Sequence, residues 1–276
     1  MKRALAKLLA KWDINLARIS SSMLSNSPAV AQRIGTAGAA EALAYYIKNY
    51  DQLSTDCELR DFMEFYAENY RLSTSQWSQD AFVMFASTLK REGRFLEIGG
   101  ADGYSHSNTY ALEKQLGWRG TLVEPDPSQF KSLQATRPNN TLLNAAISPR
   151  DREEVLTLRL VGQYSALQGH EGEDAHIQTR LQSHEFVTVK GISLSRILAA
   201  ETFDYFSLDI EGAELDILRS IQWPEVNKPA ILTVEHNSRD NDKREMLTLL
   251  RAQGYRERFA SHHWLRRGDL WMTLDA

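Results

Sequence analysis

From residue 95 onward, the sequence alternates between short apolar runs and amphipathic segments. Short apolar runs that end in glycine or acidic residues indicate buried strands, and apolar residues three or four positions apart indicate helices. This alternation predicts an α/β fold with a doubly wound, parallel sheet that is covered by helices on both faces, with ligands at the carboxyl ends of the strands. The predicted strands are residues 95–99, 120–124, 141–147, 154–161, 186–189, 204–209, 230–235, 255–260 and 269–274, and the predicted helices are residues 107–116, 127–136, 193–200, 213–221 and 240–253.

The first 90 residues lack this alternation. Residues 28–90 carry apolar residues at helical spacing, with Gly93 as a stop for the last helix, so residues 1–90 are predicted to form a helical region ahead of an α/β domain at residues 91–276. Residues 2–19 combine an apolar stripe with basic flanks. That pattern is typical of a helix on an anionic membrane surface and, more commonly, of a helix packed on the protein's own core or on a second copy of the chain.

Composition narrows the class of protein. The 276 residues carry 32 Lys and Arg against 36 Asp and Glu, which gives a formal net charge of −4 and does not favour a nucleic-acid partner. The single cysteine, Cys57, cannot form an internal disulfide, and no apolar run is long enough to span a membrane. Lys7 and Lys11 interrupt any signal-peptide core, so we expect a cytoplasmic protein, with residues 2–19 as its contact with the inner face of the membrane in the membrane interpretation.

A glycine-rich block follows the first predicted strand and opens the next helix. It contains Glu97, Gly99, Gly100, Asp102 and Gly103. The glycine spacing differs from the G-x-G-x-x-G of dinucleotide-binding turns, which makes a nicotinamide cofactor a poor fit. Glycines let the backbone approach a ligand closely, and the two acids can accept hydrogen bonds from an ammonium group and offset a sulfonium charge. The block therefore predicts a site for S-adenosylmethionine.

Polar residues at the ends of the next two predicted strands extend this site. Glu124 ends the second strand, where an acidic side chain can hydrogen-bond both hydroxyls of an adenosine ribose. Asn144 interrupts the third strand and is predicted to contact the adenine region, although a plain turn residue fits that position equally well. The strand ends thus predict that Glu124 and Asn144 bind the donor.

An ordered series of blocks from about residue 76 to residue 237 resembles the FkbM family of methyltransferases. The blocks are WSQDAF from Trp77, FLEIGGADG from Phe95, SNTYALEK from Ser107, GWRGTLVEP from Gly117, DYFSLDIEGAEL from Asp204 and LTVEHN from Leu232. The resemblance implies a class I methyltransferase (Rossmann-like) sheet, mostly parallel and seven-stranded, which would follow the helical N-terminal extension that the apolar spacing predicts. It further implies S-adenosylmethionine as the donor, with Ser107, Asn108 and Asp209 among the residues that bind it.

The same resemblance implies O-methylation of a sugar, glycan, secondary metabolite or other small hydroxylated acceptor. A sequence that keeps this fold can also belong to a non-catalytic interaction protein, because a fold does not by itself establish a reaction. The sequence leaves the acceptor and the oligomeric state, including a homo-oligomer, open.

Acidic and polar residues also gather at the ends of the fourth and fifth core strands. Asp209 and Glu211 are two positions apart at one strand end, and Glu235, His236 and Asn237 end the neighbouring strand. Carboxylates this close require a cation, a bound proton or solvent between them. Glu214 is better explained by its place in the first turn of a helix.

Two mechanisms for activating an acceptor hydroxyl follow from this gathering. In one, His236 acts as the general base, with Asp209 and Glu211 as further catalytic residues. In the other, Asp209, Glu235 and Asn237 hold Mg²⁺ or another divalent cation through oxygen ligands. The excess of oxygen ligands over the single imidazole favours the metal slightly.

Overall fold

The structure is a computed structural model, and it describes residues 57–170, 177–237, 239–260 and 268–275. The prediction for residues 2–19 lies outside these ranges. Within them, no helix is both long enough and apolar enough to cross a membrane.

The described residues form the following elements. The strands in chain order are β1 (Arg94–Ile98), β2 (Arg119–Val123), β3 (Thr141–Leu143), β4 (Ala146–Ile147), β5 (Glu154–Arg159), β6 (Ala166–Leu167), β7 (Phe186–Ile192), β8 (Tyr205–Leu208), β9 (Ile231–Glu235), β10 (Tyr255–Glu257) and β11 (Asp269–Leu274). The helices are α1 (Cys57–Asn69), α2 (Gln79–Ala86), α3 (Tyr110–Leu116), α4 (Pro127–Thr136), α5 (Ile177–Gln182), α6 (Leu194–Ala200), α7 (Glu214–Ser220) and α8 (Asp240–Ala252), with 3₁₀ turns at Tyr70–Leu72 and Trp223–Glu225.

Seven strands form the main sheet, in the order β10-β11-β9-β8-β1-β2-β3. The pairs from β9 to β3 are parallel, and β11 runs antiparallel to both of its neighbours. Strands β1, β2, β8 and β9 are almost entirely buried, as expected for parallel strands that are covered on both faces. The seven-stranded, mostly parallel α/β sheet predicted from the sequence is confirmed.

The prediction of one strand over residues 141–147 is wrong, because the chain leaves the main sheet at Asn144. The Asn144 side chain donates to the backbone carbonyl of Glu124 at 2.8 Å and to that of Pro125 at 3.3 Å. Strand β3 pairs with β2 before this point, whereas β4 pairs with β7 after it. The result is a second sheet, in the order β4-β7-β5-β6, beside the carboxyl ends of the main sheet.

Helices α1 and α2 pack on one face of the main sheet through aromatic side chains. Phe62, Phe82, Phe259 and Trp271 are all buried, and the rings of Phe82 and Trp271 stack at 4.8 Å. Helix α2 ends at Ala86, well before the predicted stop at Gly93. A Cβ on Gly93 would lie 2.5 Å from the Trp118 ring, so the lack of a side chain at Gly93 makes room for that indole.

The loop before α2 is fixed by a buried carboxylate. Asp80 is fully buried and accepts hydrogen bonds from the Ser73 and Ser75 hydroxyls and from the backbone N–H of Thr74. Gln79, its neighbour, donates to Asp269 on β11. Asp80 and Gln79, both in the WSQD motif, therefore hold this loop beside the ends of the strands.

Candidate functional site

A cleft opens at the carboxyl ends of β1, β2 and β8, where the second sheet faces the main sheet. It contains about 940 Å³ of space free of protein atoms, a volume that includes its solvent-open mouth. Its walls come from the glycine block, the ends of β2 and β8, the start of β4 and the loop between β5 and β6. The lining residues used below are Gln76, Glu97, Gly99, Gly100, Ala101, His106, Ser107, Asn108, Glu124, Ala145, Tyr164, Ser165, Asp209 and Glu211.

Gly99 is required at its position because the neighbouring strand comes extremely close. Its φ is +88°, and a Cβ there would lie 1.8 Å from the backbone oxygen of Asp209. The N–H groups of Gly99 and Gly100 both donate to the Val123 carbonyl, at 3.0 and 3.2 Å. The turn is thus held against β2 on one side and β8 on the other.

Asp102 and Gly103 shape the far side of this turn. The Asp102 carboxylate accepts from the N–H groups of Tyr104 and Ser105 and from the Ser105 hydroxyl, all at 2.7–2.8 Å. Gly103 has a φ of +80° and packs against Leu133. Among the described residues, neither Asp102 nor Gly103 lines the cleft.

Glu97 is a buried carboxylate that organises the loop ahead of α3. It accepts from the Ser107 hydroxyl at 3.2 Å, from the Asn108 N–H at 2.7 Å and from the Thr109 hydroxyl. Arg137 is fully buried, lies 3.9 Å from Glu97 and also donates to the Ser107 hydroxyl. Burial raises the pKa of Glu97, against the lowering effect of Arg137 and these hydrogen bonds. Glu97 and Ser107 therefore lie at the cleft with much of their hydrogen-bonding capacity already used.

Asn108 leaves an acceptor available in the cleft wall. Its Nδ2 donates to the Ser207 hydroxyl at 2.9 Å, which fixes the amide above β8. Its Oδ1 is buried and has no hydrogen-bond donor among the described residues. Buried acceptors of this kind usually have a partner, which a ligand in the cleft can provide.

Glu124 lies at the opposite end of the cleft with its carboxylate held by the backbone. Its two oxygens accept from the Ala101 N–H at 2.8 Å and the Asp126 N–H at 2.7 Å. Burial raises its pKa to about 7, which exceeds the lowering by these two hydrogen bonds. Asn144 is exposed, and its side chain binds the backbone after β2 and does not line the cleft. The buried residues from Ala145 to Ile147 form the cleft wall beside Glu124.

Three carboxylates meet at the ends of β8 and β9. Side-chain oxygens of Asp209, Glu211 and Glu235 all lie within 4.8 Å of one another. Both terminal nitrogens of Arg180, which is fully buried on α5, lie 3.2 Å from Glu211 Oε2. Glu211 has a φ of +65°, so the backbone is strained where it presents this side chain.

The carboxylates in this cluster repel one another when they are ionised. Burial raises the pKa of Asp209, although a hydrogen bond with Glu235 and the charge of His106 act to lower it. Burial and then the charges of Asp209, Glu214 and Glu211 raise the pKa of Glu235 well above its ordinary value. Asp209 and Glu235 therefore resist being ionised together unless a positive charge joins them.

The other residues predicted at this end have different surroundings. Asn237 donates from Nδ2 to Glu235 Oε2 at 2.9 Å, so it orients that carboxylate. His236 is 3% exposed, and among the described residues it does not line the cleft. Glu214 is buried and accepts from the N–H groups of Ile210 and Gly212 at the start of α7, as its place in the first turn predicted.

Residues 97–257 match the family described as the methyltransferase FkbM domain, which covers more than half of the chain. The chain belongs to the FkbM methyltransferase family. The family predicted from the sequence blocks is confirmed.

Solved methyltransferase structures are similar to this chain at low identity. The FkbM methyltransferase from Methylobacillus flagellatus KT shares 14% identity with a TM-score of 0.44, and the match covers 83% of this chain and 59% of that chain. The TehB-like S-adenosylmethionine-dependent methyltransferase from Corynebacterium glutamicum shares 8% identity with a TM-score of 0.40, over 79% of this chain and 97% of that one. Precorrin-6y C5,15-methyltransferase from Geobacter metallireducens shares 11% identity with a TM-score of 0.39, over 73% and 87%. No curated protein matches the chain.

Sequence reasoning missed two residues that line the cleft, Gln76 and His106, and two buried arginines, Arg137 and Arg180, that bind acids next to it. Arg180 and Arg137 carry no signal in the sequence, because each is an arginine near a helix end that becomes buried only through the fold. Gln76 and His106 line the cleft from loops that pair through a bridge between Ser75 and His106. Their closeness depends on the tertiary contact and not on any local pattern.

Replacing Gly99 tests the close approach of β1 and β8. We expect Gly99→Ala to lower the free energy of unfolding by more than Gly169→Ala does, as measured by urea denaturation. Gly169 has a φ of +87° with no described atom within 4 Å of an added Cβ, so it isolates the cost of the backbone conformation, about 1–2 kcal/mol. Equal losses in the two variants would contradict the clash with the Asp209 carbonyl.

The raised pKa of Glu124 predicts a pH dependence of stability. The folded pKa of about 7 lies above the ordinary value of 4.5 for a glutamate, so the folded state binds the proton more tightly. This contribution to the free energy of unfolding is complete below pH 4.5 and is lost as the pH rises through 7. We expect stability to fall less steeply from pH 5 to pH 8 in Glu124→Gln, while the exposed Glu153→Gln keeps the wild-type slope. Identical slopes for wild type and Glu124→Gln would contradict the assignment.

Proposed function

We propose that the protein transfers a methyl group from S-adenosylmethionine to a hydroxyl oxygen of a sugar, glycan or small secondary metabolite. The observation that carries this proposal is the pairing, in one cleft, of the buried Glu124 carboxylate with a carboxylate cluster at the far end. The Glu124 carboxylate can accept hydrogen bonds from the two hydroxyls of a nucleoside ribose. The carboxylate cluster can act on an acceptor hydroxyl that must lose its proton.

The residues present fit the donor. Gly99 and Gly100 leave the turn without side chains on the cleft wall, and Ala101 and Glu124 are joined by a hydrogen bond across it. The Glu124 oxygens each accept one backbone hydrogen bond, and a carboxylate oxygen can accept more than one. We propose that Glu124 binds the ribose hydroxyls, that the small side chains at Ala145 and Ala146 leave room for the adenine, and that Asp102 and Gly103 act by shaping the turn. When bound, the donor supplies an electrophilic methyl group on a sulfonium.

The loop between β5 and β6 supports the donor end. The Ser165 Oγ lies 2.7 Å from the Gly162 carbonyl oxygen and 3.2 Å from Asp126 Oδ2, so its one hydrogen can be donated to either, while Asp126 Oδ1 caps the start of α4. Asp126 thus caps α4 and lies beside the loop that carries Tyr164 and Ser165 into the cleft. We propose that this loop covers the bound nucleoside and excludes water from it.

The carboxylate cluster supports activation of the acceptor. A neutral hydroxyl is a poor nucleophile, so a group beside it has to weaken or remove its proton. Asp209 and Glu211 line the cleft, whereas His236 is buried outside the lining formed by the described residues. We propose that the carboxylates, and not His236, act on the acceptor hydroxyl.

A donor-binding measurement tests this function. We expect isothermal titration calorimetry to show binding of S-adenosylmethionine or S-adenosylhomocysteine by the wild type. Glu124→Ala should weaken it by about 1–3 kcal/mol, the cost of losing hydrogen bonds to a charged group. The matched control is Glu153→Ala, which removes an exposed carboxylate from the second sheet and should leave the affinity unchanged.

The outcome separates the enzyme from a non-catalytic interaction protein of the same fold. A wild type that gives no heat and no thermal shift with either ligand would overturn the proposal and favour the interaction protein. Binding that is unaffected by Glu124→Ala would overturn the placement of the donor.

A further inference from the structure

Arg137 is a buried cation that joins the glycine turn to the loop ahead of α3. It follows the last residue of α4, and its side chain is fully buried. Its Nη1 donates to the Gly103 carbonyl at 3.2 Å and to the Ser107 hydroxyl at 3.3 Å, and its Nη2 donates to the Thr109 hydroxyl at 3.0 Å. Its Nε donates to Glu113 on α3. One guanidinium thus connects the end of α4, the glycine turn and the start of α3.

Two of these contacts set the direction of the hydrogen bonds around Glu97. Arginine can only donate hydrogen bonds, so the Ser107 and Thr109 oxygens accept from it. Each hydroxyl keeps its own hydrogen for Glu97. The Ser107 oxygen lies 3.2 Å from both carboxylate oxygens, and the Thr109 hydroxyl donates to Oε2. The Asn108 N–H is a third donor, at 2.7 Å from Oε1. A carboxyl group that meets three donors is favoured in its ionised form.

Arg137 also acts on Glu97 through its charge. Its Nη1 lies 3.9 Å from Glu97 Oε2, and both side chains are buried, so salt screens this attraction little. Burial raises the pKa of Glu97, and the charge of Arg137 is the largest effect that lowers it. Tyr205 on β8 also faces Glu97, but burial raises its pKa well above the ordinary value, so its phenol is neutral. Without Arg137, Glu97 would therefore take up a proton at a higher pH.

Glu97 presents this charge to the cleft. Glu97, Ser107 and Asn108 line the cleft, whereas among the described residues Arg137 and Glu113 do not. The donor proposed above carries an ammonium group as well as a sulfonium. An ammonium group only donates hydrogen bonds, and it binds an ionised carboxylate more strongly than a neutral carboxyl.

We infer that Arg137 is a positioning residue for the donor: through the Ser107 and Thr109 hydroxyls it holds Glu97 as an anion in the wall that receives the ammonium end of S-adenosylmethionine. This inference rests on the proposed function, because it concerns the same cleft. The nucleoside end is proposed to bind at Glu124, at the opposite end of the cleft. Breaking the link from Arg137 to Glu97 should therefore weaken the binding of the amino-acid part of the donor and not of its nucleoside.

Two ligands that share the nucleoside test this inference on the full chain. S-adenosylhomocysteine carries the amino-acid group, and 5′-methylthioadenosine lacks it. Thr109→Val removes the hydroxyl between Arg137 and Glu97, and Thr109 makes no side-chain cap to α3. By isothermal titration calorimetry, we expect this variant to bind S-adenosylhomocysteine about 10-fold more weakly, as expected for the loss of a hydrogen bond to a charged group, with little change for methylthioadenosine. Arg137→Met should lose at least as much. Should it fail to fold, Thr109→Val carries the test.

The pH dependence of the affinity ratio gives a second readout. Both ligands carry the ribose that Glu124 is proposed to bind, so the titration of Glu124 cancels in the ratio. The Thr109 hydroxyl and Arg137 each lower the pKa of Glu97. We therefore expect the preference for S-adenosylhomocysteine to be lost, as the pH falls, at a higher pH in Thr109→Val than in the wild type. Equal midpoints in the two proteins would contradict the inference.

The control breaks the other contact of the same arginine. Glu113→Gln removes the ion pair of Arg137 with α3 and leaves its contacts with Ser107 and Thr109. We expect this variant to unfold at a lower temperature while its ratio of the two affinities stays at the wild-type value. Thermal unfolding is measured on every variant, so that a loss of stability is separated from a loss of donor selectivity.

The outcomes separate this inference from the proposed function. A wild type that binds both ligands, with variants that weaken both equally, overturns the role of Arg137 and leaves the donor site standing. A ratio that Glu113→Gln lowers as much as Thr109→Val does would show a general loosening of the loop and would also overturn it. A wild type that binds neither ligand overturns the proposed function, and this inference with it.

Discussion

The arrangement of this cleft depends on the contact between the turn after β1 and the end of β8. The Asp209 carbonyl occupies the space in which a side chain on Gly99 would begin. Because β1 and β8 are neighbours in the sheet, the glycine turn and the carboxylate cluster are brought to the same edge. The glycine turn and the carboxylate cluster thus lie at one cleft, and this close approach requires that residue 99 has no side chain.

Two buried arginines, Arg137 and Arg180, bind acidic side chains next to the cleft. Arg137 lies beneath Glu97 and binds Glu113, so it belongs to the framework that holds the loop before α3. Arg180 binds Glu211, while Asp209 lies close to Glu235 and is influenced by the charge of His106. Glu97 and Glu113 therefore lie against a buried arginine, whereas Asp209 and Glu235 at the end of the cleft share a hydrogen bond.

The core strands could be predicted from the sequence, because each is a short and mostly apolar run. The position of Glu124 followed for the same reason, since it ends such a run beside the glycine block. The second sheet was not predicted. Its shortest strands have only two residues each, and the break that creates β4 depends on a hydrogen bond from Asn144 to another strand end. The partner of Glu211 could not be predicted, because Arg180 is distant in sequence and its burial results from tertiary packing.

Hydrogen–deuterium exchange with and without S-adenosylhomocysteine tests the central claim, that one cleft between the two sheets binds the donor. We expect slower exchange in peptides that contain residues 98–108, 123–126, 145–147 and 161–165, because residues of all four segments line the cleft. Peptides over β10 and the outer part of α8 should exchange equally in both states. Protection that leaves residues 161–165 and 123–126 unchanged while the ligand binds would contradict the claim.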